Sequence, residues 1–178
     1  MKKSRFILLA TFGFSFLYIS CSKPQIAEEL IQAEKLMISS PDSALALLES
    51  IASPEKMRKS DYAEYCLLLT EAQDKTYYPF TSDSVIRVAA EYYKNTENNW
   101  KLPKVYYYLG RVHQELKEIP YALEYYLKAE SLAEKASDDA RLMSRIYNSI
   151  GSIYTQLHIY DGAMEACKKA EHYLYVCG

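Results

Sequence analysis

Turn-forming residues are few in this chain of 178 residues, with 5 glycines and 6 prolines, and no segment keeps strand alternation for more than a few positions. That scarcity argues against a β architecture and leaves no glycine-rich loop to cradle a phosphate. The three histidines, His113, His158 and His172, are scattered, and neither H-E-x-x-H, G-x-S-x-G nor C-x-x-C occurs. The usual local signatures of metal binding and nucleophilic catalysis are therefore missing, and no enzyme activity, metal or cofactor is expected. Besides Cys21, only Cys66, Cys167 and Cys177 are present, an odd number without close pairing. Cys66 and Cys167 fall among apolar helix positions, where a free cysteine is usually a small buried hydrophobe. There is no basic excess, with 21 Lys and Arg against 23 Asp and Glu, so a nucleic-acid partner is not expected.

What the chain does contain is helix-forming material. Apolar residues make up 49% and charged residues 25%, dominated by Ala, Leu, Glu, Lys and Tyr. This is ordinary globular usage, and the length suits one all-α domain with its own core.

The first twenty residues stand apart from that body. Lys2, Lys3 and Arg5 precede an apolar stretch from Phe6 to Leu17, which polar Ser20, Ser22 and Lys23 close off. The stretch is short for a membrane span, which needs roughly 20 apolar residues, and the layout is that of an export signal. Leu17-Tyr18-Ile19-Ser20-Cys21 resembles the lipobox of bacterial lipoproteins, departing from it at Tyr18, where Leu is usual. The resemblance implies cleavage before Cys21, acylation of that residue and a lipid anchor in a bacterial membrane, with 1–20 as leader and 21–25 as tether. Several acyl chains suffice for stable anchoring. Ordinary secretory cleavage is the rival, and bulky Tyr18 argues against it. Removing the leader leaves 18 basic against 23 acidic residues.

The body repeats. Tyr106-Tyr107-Tyr108-Leu109-Gly110-Arg111-Val112-His113 superimposes on Tyr147-Asn148-Ser149-Ile150-Gly151-Ser152-Ile153-Tyr154 at an offset of 41 residues. The same offset carries Ala122 onto Ala163, Leu123 onto Met164, Tyr126 onto Cys167 and Ala129 onto Ala170. Positions 106, 109, 110 and 113 share one helix face, as do 122, 126 and 129. Gly110 and Gly151 lie inside helical patterns, where Gly costs ~1 kcal/mol against Ala, a cost that makes sense where a neighbouring helix approaches closely. These residues resemble the tetratricopeptide repeat, with departures: Tyr106 and Tyr147 replace Trp, His113 replaces Tyr, and each unit is longer than usual. The clearest units are 103–136 and 144–177.

Upstream, Pro41-Asp42-Ser43-Ala44-Leu45 and Thr81-Ser82-Asp83-Ser84-Val85 each read as a helix start, with Asp42 and Asp83 as candidate caps. Their preceding helices are expected over Ile26 to Met37 and Ser60 to Gln73. Pro120 suits the first turn of a sixth helix and Asp161 the cap of an eighth. The expected fold is thus all-α: a curved α-solenoid of four antiparallel hairpins over 26–178, with Tyr77 to Ser82 as the longest internal turn. The last hairpin offers Ile150, Ile153, Tyr154, Met164 and Tyr173, so one apolar side is expected to await a further helix, another protomer or further sequence.

The resemblance implies a scaffold for a protein or peptide partner, carried on the periplasmic side of the outer membrane. The alternative is the sensory part of a longer membrane signalling protein, because the leader and Tyr-rich repeats resemble tetratricopeptide proteins of the Bacteroidetes. In that family the first helix of each hairpin lines a concave groove, which places Lys104, Tyr107, Arg111 and Gln114 there, followed by Arg145, Asn148, Ser152 and Thr155. Lys104, Arg111 and Arg145 then favour an acidic partner. The alternative is that these are solvated cations balancing Glu115 and Glu118. The 18 tyrosines cluster in runs that cannot be wholly buried, because consecutive helix positions diverge by about 100°. Tyr107 is left open between packing and groove.

Overall fold

The computed structural model describes residues 23–97, 99–136 and 139–177, all of its regular structure helical. The leader and Cys21 lie outside the described residues. Eight α-helices follow in order: α1 (Lys23–Ser39), α2 (Pro41–Glu49), α3 (Lys59–Lys75), α4 (Ser84–Lys94), α5 (Leu102–Glu115), α6 (Ile119–Ala136), α7 (Ala140–Gln156) and α8 (Tyr160–Cys177). The tether expected over 21–25 is already helical from Lys23. Pro41, Pro103 and Pro120 each lie in the first turn of a helix, where the missing N–H has no helical partner to lose. A further proline opens the short 3-10 turn Pro54–Lys56, so the connection over 50–58, not the expected Tyr77 to Ser82, is the longer one.

The caps differ from expectation. Asp42 and Asp161 sit within the first turns of α2 and α8, and Asp83 precedes α4 without a side-chain capping bond, its carboxylate held by Arg87. Asp139, unforeseen, does cap α7 by accepting the Leu142 amide at 2.9 Å. At Asp83 the arginine one turn on competes with the free helix N–H groups for the carboxylate.

The turns within the last three hairpins share one construction. Tyr77, Lys117 and His158 follow the ends of α3, α5 and α7 with φ of 57°, 62° and 61°. The next amide in each case returns to a carbonyl five residues back: Tyr78 to Gln73, Glu118 to His113 and Ile159 to Tyr154, at 2.8–2.9 Å. These are Schellman closures, and they satisfy the helix-end carbonyls while reversing the chain. Glycine is the usual residue there; a side chain in that conformation costs ~1–2 kcal/mol, which the tertiary packing of the hairpin offsets.

Packing is local. Helices pair as α1 on α2, α3 on α4, α5 on α6 and α7 on α8. Neighbouring hairpins meet through α2–α3, α4–α5 and α6–α7, and through the first helices α1–α3, α3–α5 and α5–α7. Among the described residues no helix packs against one more than two places further along. The repeat signature supplies much of this core: Leu109, Gly110, Ala122, Tyr126, Ala129, Tyr147, Ile150, Gly151, Ala163 and Ala170 are buried, while Tyr106 and Tyr154 are half-buried. Tyr108 and Tyr126 are wholly enclosed, and each aromatic side chain brings ~150–250 Å² into the interior. Ile150 and Ile153 are already covered, so the apolar surface left on the last hairpin is Met164 together with Leu157, Ile159, Tyr160, Leu174 and Tyr175. Cys66 is buried, and burial pushes its thiol up to about 11, which keeps it protonated at neutral pH. Cys167 is exposed, contrary to its expected burial, although its sulfur lies beside Gly151 of α7.

Gly110 and Gly151 occupy the same repeat position with unequal constraint. A Cβ on Gly110 would lie 2.5 Å from the enclosed Tyr126 ring, whereas on Gly151 the nearest atom is the Cys167 sulfur at 3.4 Å. Gly110→Ala is therefore expected to destabilise by about 1–3 kcal/mol, despite the ~1 kcal/mol gained in helix propensity. Gly151→Ala should be neutral or stabilising by up to ~1 kcal/mol. Urea denaturation of the two variants checks this, and shifts of the same sign would refute it.

Candidate functional site

The expected groove residues converge. Tyr107, Arg111 and Gln114 from α5 and Arg145, Asn148, Ser149 and Ser152 from α7 line one cavity of about 250 Å³. Lys104 lines its neighbour, a cavity of about 490 Å³ that shares Arg145 and adds Glu71 and Lys75 from α3. Thr155 lines neither, its hydroxyl donating at 2.9 Å to the Gly151 carbonyl one turn back. Of the seven that do, Asn148 and Ser152 are the exposed ones.

Tyr107 is core rather than surface. It is 4% exposed, with its ring packed edge-on against Tyr108 and tilted against Tyr126 at centroid distances of 5.0 and 5.8 Å. Its burial has a simple origin: α5 is contacted by α3, α4, α6 and α7, so the buried arc of this helix is wide enough to take in both 107 and 108. Tyr107 still shapes the site, because the Arg145 guanidinium carbon lies 4.6 Å from its ring centroid. Arg145 also donates to the Tyr108 hydroxyl at 3.0 Å. Burial raises the Tyr108 pKa well above the ordinary tyrosine value, so the hydroxyl stays neutral and accepts this bond.

The cations are not balanced by Glu115 and Glu118. Glu115 instead accepts the Phe80 amide, and Glu118 binds the His113 ring at 2.6 Å. Their partners come from α3, more than thirty residues earlier. Glu71 takes Lys104 at 2.5 Å and Lys75 at 3.9 Å, while Asp74 takes Arg111 at 2.8 Å and Arg145 at 3.9 Å. The Lys104 contact lacks hydrogen-bond alignment, so Glu71 Oε2 is buried with charge contact but no hydrogen bond. Burial works against the Arg111 guanidinium, and the Asp74 carboxylate more than offsets it, so its pKa lies above the ordinary arginine value. With Glu34, Asp139 and Arg141, which line the larger cavity too, four carboxylates face five cations, and the positive excess lies at the Arg111 and Arg145 end, where the smaller cavity has no carboxylate in its lining.

Glu71 and Asp74 were missed in the sequence, although one signal was present. Glu71 interrupts the run Leu67-Leu68-Leu69-Thr70-Glu71-Ala72, and a charge inside an apolar helical stretch calls for a partner. Gln114 is also partly engaged, its side-chain oxygen accepting the Tyr126 hydroxyl at 2.7 Å.

The Arg111–Asp74 pair generates a coupling prediction. The Asp74 side chain is 8% exposed, so Arg111→Ala strands a nearly buried carboxylate and is expected to cost about 1–3 kcal/mol. The double change with Asp74→Asn should recover a large part of that loss. A double-mutant cycle in urea reads the coupling, and strictly additive losses would show that the two groups do not support one another.

Set against protein-family models, curated proteins and solved structures, the chain matches none of them.

Proposed function

We propose that this chain is a membrane-anchored interaction scaffold: a tetratricopeptide-type α-solenoid over 26–178 that holds an acidic segment of a partner protein in its concave groove. In this reading residues 1–20 are a lipoprotein leader, Cys21 carries the acyl anchor, and the domain stands on the periplasmic face of an outer membrane. The observation that carries the proposal is the groove's positive excess. Lys75, Lys104, Arg111, Arg141 and Arg145 reach it from three successive first helices against Glu34, Glu71, Asp74 and Asp139, with Arg111 and Arg145 gathered at one end, in a chain with no basic excess of its own. Arginine offers paired donors to a carboxylate, and a groove walled by low-dielectric side chains strengthens that attraction. No described helix is long and apolar enough to cross a membrane, so the proposed attachment rests on Cys21.

Replacing the cations themselves would strip Glu71 and Asp74 of their partners, so the test adds acid at the exposed groove positions. Asn148→Glu with Ser152→Glu should weaken binding of a short Gly/Ser peptide ending in a run of Asp by at least about tenfold. Helicity and melting should be unchanged, and affinity for the parent protein should fall with added salt. Anisotropy titrations at two salt concentrations check this, and undiminished binding by the variant would exclude the groove.

The anchor is tested separately. Metabolic labelling with a palmitate analogue should mark the wild type and spare Cys21→Ala, whereas equal labelling of both would exclude acylation at this residue.

A further inference from the structure

The groove continues past its cationic wall. A third cavity, of about 410 Å³, opens where α1 and α3 meet α4 and the connection before α5, and its lining includes Ile31, Glu34, Asp61, Glu64, Tyr92 and Trp100. It shares Glu34 with the cavity of about 490 Å³, which in turn shares Arg145 with the one of about 250 Å³. The three therefore lie side by side along the first helices of the hairpins.

The sign of the wall reverses along this path. In the third cavity Glu34, Asp61 and Glu64 face a single lining cation, Lys101. Asp61 is held by Arg58 in a two-point contact at 2.8 and 3.0 Å, and Glu64 by Lys101 and the Tyr93 hydroxyl. Glu34 is exposed and makes no ion pair among the described residues. Beside it stand two large apolar groups open to solvent, Ile31 at 53% and Trp100 at 65%. Trp100 already presents its ring to a cation, the Lys101 ammonium, at 4.9 Å from the centroid.

A carboxylate without an ion pair, a tryptophan face and an exposed aliphatic side chain are together what a lysine or arginine side chain requires. Its methylenes lie along apolar surface, and its charged head meets the aromatic ring and the carboxylate. A free anion or a purely acidic segment is repelled here and accepted only further along. We infer that the partner segment is charge-polarised, with a basic side chain at the Trp100 mouth and acidic side chains at the Arg111 and Arg145 end. This rests on the proposed reading of the groove as a peptide site, and it adds the order of charges that the site reads.

The test uses the purified full chain in detergent and three synthetic Gly/Ser peptides. One carries only a terminal run of Asp, one adds Arg at the opposite end, and one has Gln in place of that Arg; spacers of increasing length are made in both chain directions. Trp100 is the chain's single tryptophan, so its emission reports occupancy of the mouth alone. The Arg-bearing peptide at its best spacer should bind about tenfold tighter than its Gln counterpart and alone should change the Trp100 emission. With Glu34→Gln, and independently with Ile31→Ser, the affinity ratio of the Arg to the Gln peptide should fall toward unity. If the Asp peptide binds but Arg adds neither affinity nor an emission change, the polarity inference is overturned and the groove reading stands. If the Asp peptide does not bind at all, the groove reading falls and takes the inference with it.

Discussion

Asp74, nearly enclosed on α3, touches Arg111 on α5 and Arg145 on α7, and one turn earlier Glu71 reaches Lys104 on α5. A buried carboxylate is costly unless paired, and breaking such a pair costs more than the pair itself contributes. The rows of these three first helices are therefore held in one register: sliding α5 past α3 would strand Glu71 and Asp74 together. Arg145 gains its place only because Tyr107 and Tyr108 form a floor beneath it. The same contacts that set the register also gather the cations on one wall.

The aromatic core answers a related geometric constraint. Runs of tyrosine on a helix point in successive directions, so each must meet more than one neighbour. Tyr106 stacks on Tyr125 and Tyr147 on Tyr173, while Tyr107 and Tyr108 turn toward the next hairpin. Gly110 lets the Tyr126 ring lie directly on α5, and the Tyr126 hydroxyl then reaches Gln114 at the groove. One ring thus links the packing within a hairpin to a polar side chain that lines the cavity between α5 and α7. At the equivalent positions of the last hairpin Cys167 replaces the ring, and Gly151 has correspondingly more room.

The hairpin turns show where local pattern is insufficient. Glycine and asparagine are the readable markers of a left-handed helix end, and the chain uses Tyr77, Lys117 and His158 instead. Their conformation is stabilised by the return bonds and by the helices they join, neither of which leaves a trace in residue type. Helix bounds were legible to within a few residues, because the prolines at 41 and 120 mark first turns and the apolar spacing marks the faces. Caps were less so: Asp83 has the right residue type but is held by Arg87, whereas Asp139 does cap its helix and was not singled out.

By itself the sequence determined that the chain is all-α, that its last two hairpins superimpose at an offset of 41 residues, and that Leu109, Ala122, Ala129 and their counterparts face inward. These follow from periodicity, which is a property of neighbouring positions on one helix. That Lys104, Arg111 and Arg145 share a side was implied by the resemblance to the tetratricopeptide repeat, not by periodicity, since Arg145 stands on another helix. Only the tertiary structure decided that Tyr107 is core and that the cations answer to Glu71 and Asp74 rather than to Glu115 and Glu118. Burial and charge pairing depend on what the other helices bring to a surface, and α3 brings its carboxylates from more than thirty residues away, a distance over which no helical periodicity carries information.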